Sequence, residues 1–360
     1  MYQGVLIGHP LMERCSKFLS RHKPLTHKQW LSRMGEVSEA SLALDFYNSG
    51  PAIDVLESKM ASLLGKEKAL FVHKGMVGQN SALMEYAKRS GSDKIAIHPE
   101  SHIEVDESLA YQELMGLSAI YFGKKGCAIE ADDIASLPTS IAAVCVELPT
   151  RRAGFKLPEW QTLQALKDFS VTHDIPIHFD GARLFESADY WQKSPAEVAA
   201  LSDSVYVSLY KMLGAAAGGI IAGSEEFIES LKPWRSRFGG DMFTAFPYVL
   251  SALWGLEHYL PRISEFNQRA QSLSQLIAQN IGSEALPNPV QSCGFIVELP
   301  IDMVTLEQRA LALAESERIW LFDRLYDAGE NKSRFEIQVG DALDDWSDAE
   351  VVAKLMQLLD

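Results

Sequence analysis

Two segments decide the fold class of this chain, IPIHFDGARLFESA at 175–188 and SVYVSLYKMLGAAAGG at 204–219. Each begins with an apolar run of strand length, and Asp180 or Lys211 ends that run before small residues follow. Between about residues 68 and 223 further apolar runs alternate with helical stretches: KALFVH (68–73), KIAIHP (94–99), SAIYF (118–122), IAAVCVELP (141–149) and GGIIAG (218–223). The alternation predicts an α/β fold with a mainly parallel seven-stranded sheet that is covered by helices on both faces.

The pattern changes after residue 240, where helical stretches cover 242–258 and 261–281 before shorter strands and helices follow. This change predicts a smaller α+β unit at the C-terminus. We therefore predict three parts, namely an N-terminal arm with helices at 1–45, a large domain at 46–256 and a small C-terminal domain at 257–360. Within the large domain, apolar residues at helical spacing predict a helix over 157–173, with Pro158 in its first turn.

The composition is that of a globular protein, with 47% hydrophobic residues, 22% charged residues and a formal net charge of -15. This negative charge would repel nucleic acids and anionic membranes, so we expect neither as a partner. The four cysteines have no metal-type spacing, which favours a reducing cytoplasm and no structural metal. The N-terminal segment lacks the apolar run of a signal peptide, and no stretch of 18 consecutive apolar residues is present, so we expect a cytoplasmic protein.

Asp180 and Lys211 together suggest a particular cofactor. Taken alone, Asp180 could meet a ligand at a strand end or cap a helix, and Lys211 could be a desolvated nucleophile or an ordinary surface lysine. Pyridoxal 5′-phosphate (PLP) needs a lysine that holds its aldehyde as a Schiff base and a carboxylate that keeps its pyridine nitrogen protonated. The pair supplies both groups, so we predict that Lys211 and Asp180 bind PLP.

The remaining requirements of such a site have weaker candidates. A turn at Gly75 and a helix that begins near Met76 could bind the phosphate, although many strand-turn-helix units look alike. His102 could cover the flat face of the ring, or it could be a loop histidine with a local hydrogen bond. Arg183 and Arg334 could hold the carboxylate of an amino acid, although a solvated charge at a strand edge is the plainer interpretation of Arg334.

Three blocks resemble a known family, the threonine aldolase and β-eliminating lyase group of PLP fold-type I enzymes, which have the aspartate-aminotransferase-like fold. HFDGARLFESA (178–188) resembles the pattern HxDGARLxxA, SLYKMLGAAAGG (208–219) resembles a Ser-Lys-Gly-Leu-Gly-Ala block, and DFYNSGPAIDVLESKMASLLGKEKALFV (45–72) resembles an early Tyr-Gly block. The resemblance runs from about Leu44 to the C-terminus. Within the family, the sequence resembles a bacterial branch described as threonine-aldolase-like.

The resemblance implies a role for each candidate residue. Lys211 would hold PLP, Asp180 would face the pyridine nitrogen and His102 would stack on the ring. Arg183 and Arg334 would hold the carboxylate of a small amino-acid substrate. The resemblance also implies a homodimer or homotetramer, with sites near subunit contacts to which residues 235–240 could contribute.

This chain departs from the family pattern in three places. Lys74-Gly75-Met76 stands where many members have Ser-Gly-Thr, so Lys74 is a candidate phosphate contact in place of two hydroxyl groups. The segment 147–150 reads Glu-Leu-Pro-Thr instead of Glu-Asn-Thr-His, and the histidine that approaches the substrate hydroxyl in the family is therefore absent. The usual N-terminal Arg-Ser-Asp-Thr segment is not recognisable.

The leading hypothesis for function is retro-aldol cleavage of a β-hydroxy-α-amino acid, such as threonine or allo-threonine, to glycine and an aldehyde. His102 or a bound water could accept the hydroxyl proton. One alternative is β-elimination or another PLP reaction on an amino acid, because the same electron sink serves all of them. A second alternative is a non-catalytic binding protein with this fold. An NAD-binding enzyme is less favoured because no GxGxxG motif follows the first strand.

Overall fold

The computed structural model describes residues 4–329 and 331–360. The chain forms two compact units, of which the larger is Leu25–Pro261 and the smaller joins the described residues up to Pro24 to Arg262–Asp360. This division differs from the predicted one, because residues 25–45 and 257–261 lie in the larger unit and the described residues before 25 lie in the smaller. The cause is tertiary packing: helix α1 (His27–Glu36) packs on Phe246–His258 of the larger unit.

A seven-stranded sheet forms the centre of the larger unit. Its strands in chain order are β1 (Lys68–Val72), β2 (Lys94–Ile97), β3 (Ser118–Tyr121), β4 (Ala143–Glu147), β5 (Ile177–Asp180), β6 (Ser204–Ser208) and β7 (Gly219–Gly223). Their spatial order is β1-β7-β6-β5-β4-β2-β3. Strand β7 runs antiparallel to both β1 and β6, and the other neighbouring strands are parallel to each other. Because each of the seven runs identified in the sequence supplies one strand, the predicted mainly parallel sheet is confirmed.

Helices accompany the strands of the larger unit. After α1 they are α2 (Pro51–Leu64), α3 (Gly75–Ser90), α4 (His102–Val105), α5 (Ala110–Glu113), α6 (Ala131–Ala135), α7 (Trp160–His173), α8 (Leu184–Ala188), α9 (Pro195–Ala199), α10 (Glu225–Arg237) and α11 (Phe246–His258). The helix predicted to begin at Leu157 begins at Trp160, and Glu159 is its extended N-cap. The proline explains the difference, because a residue that precedes proline is disfavoured in the helical conformation.

The smaller unit is α+β, as predicted from its sequence pattern. Its four-stranded antiparallel sheet has the order Gly4–Val5, Arg324–Gly329, Lys332–Gln338 and Gly294–Leu299. A second, parallel pair joins Lys17–Phe18 to Ile319–Trp320. The helices of this unit are α12 (Ile263–Asn280), α13 (Met303–Glu317) and α14 (Asp348–Gln357). Among the described residues of both units, no helix is both long enough and apolar enough to cross a membrane.

The parallel strands of the larger unit direct several polar side chains to one edge of the sheet. Asp180 is the last residue of β5 and Glu147 is the last residue of β4, and the two are register partners. The loop that carries Lys211 follows β6, the next strand of the sheet. Ligands of open α/β sheets bind at the carboxyl ends of the strands, and this edge is therefore the place to look for a site.

Candidate active site

Asp180 is a buried carboxylate, only 2% exposed. Its Oδ2 accepts a hydrogen bond of 2.9 Å from Nε2 of Gln79, and its Oδ1 accepts one of 3.2 Å from the backbone N–H of Ala182. The helix-cap interpretation does not apply, because α8 begins at Leu184 and its N-cap is Arg183. Two carboxylate oxygens can accept about four hydrogen bonds, so Asp180 retains the capacity to accept another donor.

Lys211 lies in the turn between β6 and β7. Strand β6 ends at Ser208, two positions before the end of the apolar run 204–210, and the backbone N–H of Ala215 then bonds the carbonyl of Leu209 at 2.9 Å within the turn. The carbonyl of Lys211 accepts a bond of 2.9 Å from the N–H of Gly214, which holds its backbone in place. The turn thus presents Lys211 just beyond the strand end.

The environment of Lys211 favours its neutral, nucleophilic form. Burial lowers the pKa of Lys211 to about 7, and the positive charge of Arg183 acts in the same direction. The charges of Asp180 and Glu147 oppose the shift without cancelling it. An amine with a pKa near neutrality is unprotonated in a substantial fraction of molecules and can attack an aldehyde.

Glu147 is a second buried carboxyl group at the same sheet edge. Its Oε2 accepts a hydrogen bond of 3.0 Å from the backbone N–H of His102. Burial raises the pKa of Glu147 to about 7, and the negative charge of Asp180 adds to the effect. No role was assigned to Glu147 from the sequence, although a charged residue at the end of a buried strand was a signal that could have revealed it.

His102 is the first residue of α4 and forms an ion-pair geometry with Glu107. Its Nδ1 lies 2.9 Å from Oε1 of the buried Glu107. Burial lowers the pKa of His102, but the hydrogen bond to Glu107 and the charge of Asp180 outweigh it, and the net pKa is raised. The local hydrogen bond that was one of the two interpretations of His102 is thus present, and it involves Nδ1. Stacking of His102 on a cofactor ring stays a prediction.

The two candidate carboxylate-binding arginines lie in different units. Arg183 is buried in the larger unit, with its guanidinium carbon 5.3 Å from the centre of the Phe155 ring, and its charge acts on Lys211. Arg334 lies in the smaller unit on an antiparallel strand, where its Nε donates to Oε2 of Glu298 at 2.6 Å. Its side chain is exposed, as expected for a solvated strand charge, and its role in substrate binding stays a prediction.

The predicted phosphate loop lies between β1 and α3. The exposed Lys74 is the N-cap of α3, which begins at Gly75, one residue before the expected Met76. A side chain at Gly75 would not fit, because an added Cβ would lie 2.5 Å from the hydroxyl oxygen of Tyr206. The first turn of a helix offers backbone N–H groups that suit an anion. Contact of these three loop residues with a phosphate stays a prediction.

Residues 147–152, which include the position where the family histidine is absent, form other hydrogen bonds and ion pairs. Oγ1 of Thr150 donates to the carbonyl of Glu147 at 3.3 Å. The carboxylate of Asp106 accepts hydrogen bonds from Nη2 of Arg151 at 3.1 Å and from Nε of Arg152 at 2.9 Å. Burial raises the pKa of Asp106, but the hydrogen bond from Arg152 and the two positive charges outweigh it and lower this pKa to about 2. Thr150 therefore supplies no acid–base group in this position.

The cluster fits the chemical requirements of PLP. Asp180 can accept a donor such as a protonated pyridine nitrogen, Lys211 has an amine of lowered pKa, and Gly75 starts a helix suited to a phosphate. Glu147 is the register partner of Asp180 and accepts a hydrogen bond from the N–H of His102, and Lys211 follows the strand next to β5, so the four residues lie at the same end of the sheet. The arrangement can therefore hold a PLP ring and place acid–base groups beside it.

Comparison with known proteins supports this interpretation. The family model of beta-eliminating lyases matches residues 33–299. A low-specificity L-threonine aldolase 1 of Arabidopsis thaliana is 28% identical over 66% of this chain and 69% of its own length. An uncharacterised protein of Caenorhabditis elegans, R102.4, is 26% identical over 75% of this chain, and the match spans 66% of that relative.

Solved structures give the same result over almost the whole chain. A protein of Listeria monocytogenes proposed to be an L-allo-threonine aldolase superposes with a TM-score of 0.86 at 30% identity, over 97% of this chain and 95% of its own. A protein of Exiguobacterium sp. 255-15, proposed to be an aromatic amino acid beta-eliminating lyase/threonine aldolase, has a TM-score of 0.89 at 28% identity, over 97% and 98% of the two chains. The architecture is therefore PLP fold type I.

Proposed function

This chain is a member of the beta-eliminating lyase family, and from that premise we propose that this PLP-dependent lyase cleaves a β-hydroxy-α-amino acid of the threonine type to glycine and an aldehyde. The observation that carries the proposal is the position of Lys211 in the turn after β6, beside strands β5 and β4, which end at Asp180 and Glu147. Burial there lowers the pKa of Lys211 to about 7. The similarity to proteins described as threonine aldolases supports the choice of substrate class.

Lys211 and Asp180 would hold the cofactor. When bound, PLP acts as an electron sink that stabilises negative charge on the α-carbon of an amino acid. Lys211 can attack the aldehyde because part of its population is neutral near pH 7. Asp180 can accept the pyridinium N–H with the capacity left by its bonds to Gln79 and Ala182. Asp180 is the last residue of β5, and Lys211 lies in the turn that follows the neighbouring strand β6.

His102 and Glu107 would handle the proton of the substrate hydroxyl. Cleavage of the bond between the α- and β-carbons requires that this proton be removed, and a histidine supported by a carboxylate is a suitable acceptor. Glu107 raises the pKa of His102 and occupies Nδ1, which leaves Nε2 to face a substrate. Substitution of His102 by Phe keeps a flat ring and removes both nitrogens. An unchanged cleavage rate in this variant would show that a bound water, not His102, accepts the proton.

Arg183 would bind the substrate carboxylate. Its guanidinium is buried near Phe155 and acts electrostatically on Lys211, so a carboxylate beside it would lie next to the reacting amine. An arginine can bind a carboxylate with two parallel hydrogen bonds, and a lysine cannot reproduce this geometry. Arg334 would assist, as the family resemblance implies, through guanidinium N–H groups other than the Nε that donates to Glu298.

We also propose that the chain assembles as a homodimer or homotetramer. Phe46, Tyr47 and Phe243 form an exposed aromatic cluster in which Phe243 lies 5.5 Å and 5.6 Å from the other two ring centres. Exposed apolar clusters are typical of interaction surfaces, and a second copy of this chain is the partner that we propose. Light scattering should give a dimer or tetramer mass for the wild type and a smaller mass for Phe243→Ser. A monomeric wild type would reject this part.

Product analysis tests the proposed reaction. The PLP-loaded protein should release glycine and acetaldehyde from L-threonine or L-allo-threonine, and the Lys211→Ala variant should release neither above background. If the protein forms pyruvate and ammonia from L-serine but no glycine from either threonine isomer, the reaction is β-elimination and the proposed cleavage is wrong. If the PLP-loaded protein yields no product from any of these amino acids, the proposed substrate class is wrong.

A further inference from the structure

A row of buried polar side chains continues from Asp180 into the interior of the larger unit. Nε2 of Gln79 donates to Asp180 at 2.9 Å, and its Oε1 lies 3.3 Å from Nε2 of His178. Nδ1 of His178 lies 2.8 Å from Oγ of Ser204, which accepts a hydrogen bond of 2.7 Å from the hydroxyl of Tyr86. All five residues are buried. We call this row the Asp180 relay.

The periodicity of the secondary structure produces the row. His178 and Asp180 are two residues apart on β5, so both side chains point to the same face of the sheet. Ser204 is the register partner of His178 on the adjacent β6. Gln79 and Tyr86 are seven residues apart on α3 and therefore lie on the same side of the helix, two turns apart. Helix α3 therefore packs on the sheet with Gln79 and Tyr86 facing the strand residues Asp180 and Ser204, to which they donate hydrogen bonds.

The hydrogen bonds of the relay have one consistent direction. Nε2 of Gln79 donates to Asp180, so the amide oxygen of Gln79 faces His178. His178 must then carry its proton on Nε2. Burial lowers the pKa of His178 to about 4, so the ring is neutral and its Nδ1 is an acceptor. The hydroxyl of Ser204 donates to that nitrogen and accepts from Tyr86, whose pKa is raised by burial.

We propose that Gln79 and His178 are positioning residues that orient the carboxylate of Asp180 toward the pyridine nitrogen of PLP. Each donor in the relay points toward the carboxylate, and donation to a carboxylate favours its charged form. The alternative direction would require Asp180 to be protonated and to donate to Gln79, and it could then no longer accept the pyridinium N–H. This inference rests on the proposed use of PLP and assigns the relay a task that a purely structural network would not have.

Two variants and one control test the relay. Gln79→Met keeps the length of the side chain and removes its donor, whereas Tyr86→Phe removes only the hydroxyl at the far end. Ser81→Ala is the matched control, because Ser81 is buried on the same helix but bonds only the carbonyl of Val77 among the described residues. The readouts are the dissociation constant of PLP from the reconstituted protein and the resonance of the isotope-labelled pyridine nitrogen in the holoenzyme.

We expect PLP binding to weaken about tenfold in Gln79→Met and about twofold in Tyr86→Phe. The nitrogen resonance should move toward that of unprotonated pyridine in the same order, and both readouts should stay at wild-type values in Ser81→Ala. If Gln79→Met does not fold, the displacement of the resonance in Tyr86→Phe decides the matter. Wild-type values in the variants that fold, or an equal change in the control, would overturn the relay. Failure of the wild type to bind PLP would instead overturn the proposed function.

Discussion

The backbone N–H of His102 donates a hydrogen bond of 3.0 Å to Oε2 of Glu147. This bond links the start of α4 to the end of β4 and places two titratable groups side by side. The pKa of each is raised, that of Glu147 to about 7 chiefly by burial, and that of His102 by Glu107 and Asp180 in spite of burial. The pKa of Lys211 is lowered to about 7, so Glu147 and Lys211 both change charge near neutral pH.

Replacement of Lys211 by Met should change how the stability of the apoprotein depends on pH. The pKa of Lys211 is about 7 in the folded chain and 10.5 in the unfolded one, so between these values only the unfolded chain binds the proton. The free energy of unfolding of the wild type should therefore rise with pH relative to Lys211→Met, by at most about 1.4 kcal/mol per pH unit. Urea unfolding across this range measures the difference. The prediction is wrong if the difference in free energy of unfolding between the wild type and Lys211→Met does not change with pH. It is also wrong if the control Lys88→Met, at an exposed lysine, shows the same change with pH.

Replacement of Glu107 by Gln should move the acidic limb of the pH–rate profile to lower pH. The carboxylate of Glu107 raises the pKa of His102, and an uncharged amide would raise it less. Because His102 must be neutral to accept a proton, the rate rises as pH passes this pKa, and a lower pKa moves the rise by about half a pH unit or more. The measurement is kcat/KM for the cleaved amino acid as a function of pH.

Glu104→Gln is the control for that experiment. Glu104 lies in the same segment, but it accepts hydrogen bonds from the hydroxyls of Tyr111 and Tyr121 at 2.8 Å and 2.9 Å rather than from a histidine. Its pH–rate profile should coincide with that of the wild type. Superimposable profiles for Glu107→Gln and the wild type would remove the His102–Glu107 pair from the proton transfer.

Addition of a methyl group at Gly75 should destabilise the larger unit. The new Cβ would lie 2.5 Å from the hydroxyl oxygen and 2.8 Å from Cζ of Tyr206, which is buried and has little room to move. We expect Gly75→Ala to lower the free energy of unfolding by about 1–3 kcal/mol, and Tyr206→Phe in the same chain to recover part of the loss. Gly35→Ala is the control, because a Cβ there meets no described atom within 4 Å. A stability of Gly75→Ala equal to that of the wild type would show that the close packing is absent.

Replacement of Lys74 by Ala should weaken the retention of PLP. Lys74 is exposed at the N-cap of α3, where an ammonium group and the helix N-terminus would act together on a phosphate. We expect a loss of affinity of about threefold to tenfold, and a smaller loss at high salt concentration because the lysine is exposed. Lys88→Ala, at the other end of the same helix, should have no effect. Equal retention of PLP by Lys74→Ala and the wild type would reject this contact.

The sequence pattern was sufficient to predict the sheet, and it also directed attention to two residues at the ends of its strands. Asp180 and Lys211 could be found because each follows a short apolar run, and the carboxyl ends of parallel strands meet at one edge. The strand before Lys211 was predicted to end two residues too late, because the apolar pattern continues through Leu209 and Tyr210 although the carbonyl of Leu209 already bonds the N–H of Ala215 in the turn. The pattern of apolar residues alone cannot show where such a turn begins.

The partners of these residues could not be predicted, because they depend on packing between distant segments. Gln79 and Asp180 are 101 positions apart, and their hydrogen bond depends on where α3 lies on the sheet. His102 is followed within five residues by Glu104, Asp106 and Glu107, and only the backbone turn after α4 selects Glu107 as its partner. Charge spacing alone left each of the three acids available.

The central claim, that Lys211 binds PLP, is tested most directly by borohydride reduction of the PLP-loaded protein followed by mass mapping of its peptides. The account predicts an absorption band of bound PLP that is lost on reduction, a stable PLP adduct on Lys211 alone, and no such adduct in Lys211→Ala. Lys74 is the internal control, since it should remain unmodified in the same digest. A protein that fails to bind added PLP, or an adduct formed on another lysine with Lys211 unmodified, would contradict the account.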